Sequence, residues 1–92
     1  MVETGTPVAI AFSMITGSQI RAARALLRWS ASDLAESAAI GIATVHRAEA
    51  VDDFPPLNVK TLLKVQQSLE GAGVVFLASG ESKDGGPGCR LR

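Results

Sequence analysis

The side chains that could do covalent or metal chemistry are sparse, and their spacing does not assemble them. His46 is the only histidine and Cys89 the only cysteine. A single histidine without a second histidine, a nearby cysteine or clustered carboxylates is not a metal site, which needs several converging ligands. Cys89 has only Arg90 and Arg92 close in sequence to lower its pKa, so it reads as a small strand residue. The chain offers no Ser-His-Asp set and no paired carboxylates in a plausible cleft. Gly85-Gly-Pro-Gly88 lacks the following Lys-Ser/Thr and the strand–helix setting of a nucleotide loop. No enzymatic activity, metal or cofactor is expected. What remains is side chains suited to recognition, concentrated between Ser30 and Glu49.

That stretch reads as two short helices joined by a tight turn. Ser30 and Asp33 form a Ser-x-x-Asp capping box, which satisfies backbone N–H groups left without partners at a helix start. Leu34, Ala35, Ala38, Ile40, Val45 and Ala48 have the spacing of inward faces on both helices. Ala35 and Ala48 are small enough to let the helices approach closely. Two short helices at a steep angle make a helix-turn-helix, whose second helix is shaped for a DNA major groove.

The flanking elements follow from the same rules. A first helix is expected from about Gly17 to Arg28, capped by Thr16, with Ile20, Ala23, Leu26 and Leu27 inward. The two central helices cover about 31–38 and 42–50. Val51-Asp-Asp-Phe-Pro-Pro-Leu57 is a loop, because paired prolines exclude helix. A fourth helix starts near Asn58, buries Leu62, Val65 and Leu69, and ends by Gly71 or Gly73. Val74 to Leu77 is a strand, and a Gly/Ser-rich loop from Ser79 to Gly88 leads to a second short strand at Cys89 to Leu91. The expected class is mainly α: a four-helix bundle at 14–73 with a C-terminal β-hairpin at 74–92. Residues 1–13 form an N-terminal extension with two readings, disorder or an added strand at Val8-Ala-Ile-Ala-Phe12.

The motif resembles the helix-turn-helix of the phage-repressor and Cro class, the Xre family, with its lambda-repressor-like fold. The resemblance runs from about Met14 to Glu70. Gln19-Ile-Arg-Ala-Ala-Arg-Ala-Leu-Leu-Arg-Trp-Ser30 looks like the family's first helix and its junction into the second. Thr61-Leu-Leu-Lys-Val-Gln-Gln-Ser-Leu-Glu70 looks like the helix after the motif. Gly73-Val-Val-Phe and Gly86-Pro-Gly-Cys-Arg-Leu-Arg92 resemble a bacterial subgroup in which two strands replace a fifth helix. Met14 stands where small members commonly begin.

The resemblance implies a set of DNA contacts. Gly41 would cap the recognition helix, Ile42, Ala43 and Arg47 would face base edges, and Thr44 and His46 would reach phosphates or flanking bases. Ile42 and Ala43 can offer only contact with a thymine methyl, while Arg47 can bond bidentately to guanine for ~1–3 kcal/mol of discrimination. Ala31 stands where the family often carries a phosphate-binding glutamine, so only its backbone N–H can serve, helped by the hydroxyls of Ser30 and Ser32. Ala39 stands in the turn where glycine is usual; alanine at left-handed angles costs roughly 1 kcal/mol. Arg24 and Glu49 occupy positions where members carry an ion pair joining the first helix to the end of the recognition helix. Trp29 reads as core filler at the junction between the first two helices.

Composition narrows the class further. The chain has 92 residues, 47% of them apolar but only 4% aromatic, which suits close packing of helices built from Ala, Leu, Ile and Val. Its lone cysteine needs no oxidising compartment, its start lacks the basic residues of a secretory signal, and its apolar runs are too short to span a bilayer. A cytoplasmic protein with no membrane contact is expected. Nine basic and nine acidic residues sum to zero, whereas nucleic-acid binders usually carry a basic excess. A local basic face from Arg28, Arg47, Lys60 and Lys64 is enough for phosphate contact, and neutrality then implies modest non-specific affinity.

These features lead to an expected function: a sequence-specific transcriptional regulator, in this family commonly a repressor, binding double-stranded DNA as a homodimer without a small-molecule ligand. One recognition helix reads too few base pairs, so two copies should pair through the C-terminal part. Both faces of the first strand are apolar (Val74 and Phe76, Val75 and Leu77), and Cys89 and Leu91 share one face of the second. A two-stranded hairpin cannot bury two apolar faces by itself, so one should pack on the fourth helix, while a second copy covers the other or extends the sheet at its edge; the alternative is a hairpin folded over its own domain in a monomer. A different class remains open beside it: a protein-interaction module, an antitoxin or anti-regulator, using Ile42 and Ala43 as contact surface.

Overall fold

A computed structural model describes residues 15–77 and 88–92. The expectations for 1–13 and for most of the loop ahead of Cys89 lie outside these residues. Within them the chain is mainly helical, with helices α1 (Gly17–Leu27), α2 (Ala31–Ala38), α3 (Ile42–Glu49) and α4 (Val59–Gly71). An antiparallel pair of strands follows, β1 (Val74–Leu77) and β2 (Gly88–Leu91). No helix of the described residues is long and apolar enough to cross a membrane.

The helix boundaries are set by local chemistry. Thr16 starts α1: its Oγ1 accepts from Gln19 N at 3.1 Å, and Gln19 Oε1 accepts from Thr16 N at 2.8 Å. Ser30 and Asp33 make the same reciprocal pair at the start of α2, at 3.0 and 2.8 Å. Asn58 Oδ1 accepts from Thr61 N at 2.7 Å at the start of α4. α1 and α2 each end on a left-handed residue other than glycine, Arg28 and Ala39, both with φ 59°. Those angles turn the chain sharply and let Trp29 N and Ile40 N bond back to Arg24 O and Ala35 O.

Contacts run from α1 to α3, α3 to α2, α2 to α4, α4 to β1, and from both strands back to α1. This closes a ring around one apolar core. Ile20 and Ala23, Leu34, Ala35 and Ala38, Val45 and Ala48, Leu62, Val65 and Leu69, and Val74 are the core contributions of successive elements. Ala35 and Ala48 are both buried, as close approach of α2 and α3 requires. Trp29 packs against this core from the α1–α2 junction.

Two expectations change. Leu26 is 40% exposed rather than inward. It lies roughly 120° around α1 from Ile20, on the flank that Gln19 occupies two turns earlier; the hairpin covers Gln19 and leaves Leu26 open. The hairpin also packs on α1 as well as α4. Its register pairs Val74 with Leu91 and Phe76 with Cys89, so these four share a face. Val74 is 1% exposed, and Phe76 and Cys89 pack against the same core. Those three are therefore spent inside the domain; of the other hairpin residues expected at a dimer contact, Val75 and Leu77 lie on the opposite face, and Leu91 is the exposed end of the core-facing one.

Candidate nucleic-acid interface

α3 is gripped at its C-terminal end and open along its outer face. The grip comes from α1. Arg24 meets the Glu49 carboxylate with two parallel bonds, Nε to Oε2 and Nη2 to Oε1, both 2.8 Å, and its Nη1 donates to Trp29 O at 2.9 Å. The pair is largely withdrawn from solvent, with side-chain exposures of 25% and 10%. The hydrogen bonds that Arg24 donates to Glu49 push its pKa up, with a further contribution from the Glu49 charge against the opposing effect of burial. One arginine thus ties together α1, the α1–α2 junction and the end of α3.

Three further residues of α1 complete the grip, and none was singled out from the sequence. Arg21 donates to Glu49 O and to Val51 O, carbonyls at the negative end of α3, where a cation is favoured. It also pairs with Asp52, whose pKa is lowered by that hydrogen bond and by the Arg21 charge. Ser18 Oγ donates to Asp52 O at 3.1 Å. Gly17 N donates to Asp53 O at 2.9 Å, and a Cβ on Gly17 would lie 2.0 Å from Val51 O and 2.5 Å from Ala48 O. Only glycine permits that approach.

The outer face of α3 is uncovered. Val45 and Ala48 turn inward at 1% exposure each, while Gly41, Ile42, Ala43, His46 and Arg47 are exposed and Thr44 is half-buried. Ile42, at 45%, is one of the large apolar side chains left in solvent. Gly41 caps the helix without a side-chain bond, and a Cβ there would meet nothing within 4 Å. At the start of α2, Ser32 is exposed and Ala31 is half-buried against the core. The Ser30 hydroxyl already accepts the cap bond but keeps its own proton to donate. Asp33 places a carboxylate in that same first turn, which weakens its pull on a phosphate. Lys60 is exposed in the first turn of α4, and α4 adjoins α2.

Charges are redistributed by the ion pairs. Arg21 and Arg24 are engaged with Asp52 and Glu49, whereas Arg28, Arg47, Lys60 and Lys64 are exposed. Asp33 and Glu36 instead line an open depression of about 490 Å³ with Trp29 and Ser37, an acidic surface unsuited to phosphate. Cys89 has its pKa raised by burial, so its thiol is held neutral rather than activated. No group of His, Cys, Asp or Glu among the described residues is arranged to hold a metal ion.

No protein-family model, no curated protein and no solved structure matches this chain.

Proposed function

We propose that this chain is a DNA-binding transcriptional regulator of lambda-repressor-like, Xre-type helix-turn-helix architecture, acting as a repressor in the cytoplasm. The observation that carries the reading is the division of labour on α3: its C-terminal end is fixed by the Arg24–Glu49 and Arg21 contacts, while Ile42, Ala43, His46 and Arg47 face solvent with no role in the core. In this reading α2 and α3 form the motif, with Ala39 at its left-handed turn. α3 enters a major groove; Ser30, Ser32 and the Ala31 N–H meet phosphate at the start of α2, and Lys60 does so from α4. A second copy, joined through the outer hairpin face of Val75 and Leu77, supplies the other half-site.

One observation favours a second reading, a protein-binding module such as an antitoxin or anti-regulator. The net charge is zero, and the outer face of α3 begins with apolar Ile42 and Ala43. Titration of labelled duplex from the gene's own upstream region at two salt concentrations separates the two. The regulator shows sequence-selective binding that weakens steeply with salt. No selective binding, together with a protein partner recovered by pull-down, favours the module.

A further inference from the structure

The composition of the outer face of α3 narrows what kind of base pair it can select. Ile42, Ala43, His46 and Arg47 make two adjacent rows at four-residue spacing, Ile42 with His46 and Ala43 with Arg47. The first row begins with an isoleucine 45% exposed, and the second with an alanine. Neither side chain donates or accepts a hydrogen bond, so neither can distinguish the O4 or N4 edge of a pyrimidine. Each can fill only against an apolar group, and in the major groove that group is a methyl on pyrimidine C5. Arg47 is the fork of parallel donors on the same face. Arg47 lies five positions after Ile42, a rise of about 7.5 Å, or about two base-pair steps. Gly41 leaves open space where a side chain would stand, so the duplex can approach the Ile42 end closely.

Resting on the DNA-binding reading, we propose that α3 is a methyl reader: Ile42, backed by Ala43, selects a pyrimidine carrying a 5-methyl group, and Arg47 selects a guanine two or three base pairs away. Thymine is the usual bearer of that methyl. Because Ile42 is blind to the O4 and N4 edge, 5-methylcytosine presents the same target, and cytosine methylation at this position strengthens binding instead of blocking it.

The test uses the full chain and duplexes that it enriches from a random library. Each thymine of the enriched site is replaced singly by deoxyuridine, which removes only the methyl. One or two positions should weaken binding roughly fourfold per methyl, the effect of one buried carbon. At those positions 5-methylcytosine should bind tighter than cytosine by a similar factor. Ile42→Ala, at an exposed site that leaves the fold intact, should bring the thymine-to-uracil ratio close to one. Arg47→Ala should relax the choice of guanine by roughly 5- to 150-fold. Deoxyuridine tolerated at every position, or a full uracil penalty surviving in Ile42→Ala, overturns methyl reading while leaving DNA binding in place. A library from which nothing is enriched overturns the DNA-binding reading and this proposal with it.

Discussion

Gln19 is a structural hub, and replacing it with methionine should unfasten the hairpin. Its side chain is buried, at 4% exposure. Its Oε1 accepts from Thr16 N at 2.8 Å, and its Nε2 donates to Leu77 O at 3.1 Å and Gly88 O at 2.9 Å. The amide therefore caps α1 and holds the end of both strands. Methionine keeps the length and apolar bulk but leaves the Thr16 N–H and two carbonyls without their partner. At about 1 kcal/mol net for each neutral hydrogen bond, three losses give about 3 kcal/mol. In a domain of this size that lowers Tm by roughly 12–24 °C. Circular dichroism melts measure it, and amide exchange should show the amides of β1 and β2 losing protection before the helices do. Gln19→Glu refines the test. Its carboxylate still accepts from Thr16 N but faces the two carbonyls with like charge, so its folded pKa is raised above the unfolded value. The protonated form is then the better tolerated one, and the deficit shrinks as pH falls. A Tm drop below about 4 °C for Gln19→Met, or a Gln19→Glu deficit that grows in acid, would refute the clamp.

Other substitutions probe the grip on α3 and the turn before it. Gly17→Ala drives a Cβ into Ala48 O and Val51 O; it should destabilise by about 2–3 kcal/mol by chemical denaturation, as forced overpacking does, and a neutral result would contradict the close approach. Glu49→Gln loses the charge that answers Arg24 and should cost about 2–3 kcal/mol, below the fully buried figure because Arg24 keeps some solvent; a loss under about 0.5 kcal/mol would mean the pair does not hold α3. Ala39→Gly relieves a left-handed alanine and should raise stability by about 0.5–1 kcal/mol, whereas a lower melting midpoint would contradict that turn. Asp52 has a folded pKa below its unfolded one, so its contribution is present above the unfolded carboxylate range and disappears as pH falls through the folded value. Asp52→Asn should therefore be slightly less stable than the parent at neutral pH and low salt and indistinguishable at pH 2; a gap that persists in acid would contradict the Arg21 tie.

Local chemistry was the most readable part of this sequence. Ser30 with Asp33, Asn58, the Pro55-Pro56 break and Gly73, with its φ of 111°, mark element ends through rules acting over a few residues. The meeting of Arg24 with Glu49 required a family resemblance, since no local rule links residues 25 apart. Gln19 was half legible: Thr16-x-x-Gln19 is itself a capping-box pattern, which adds Gln19 to the Thr16 cap that the sequence already implied. Its second role depends on carbonyls 58 and 69 residues away, placed only once the hairpin packs on α1. Gly17 and Arg21 were invisible for the same reason, because their partners lie after α3. Leu26 fits an inward helical spacing, yet periodicity does not say how far along α1 the hairpin reaches.

In the proposed function, the start of α2 and the outer face of α3 meet duplex DNA. Amide chemical-shift mapping of the full chain against the tightest-binding duplex tests it most directly. Changes are expected at Ser30 to Ser32, Gly41 to Arg47 and Lys60, strongest at Ile42 and Arg47, and diminishing as salt is raised. Changes confined to the hairpin and the outer side of α1, or none across α3 under saturating DNA, would contradict it.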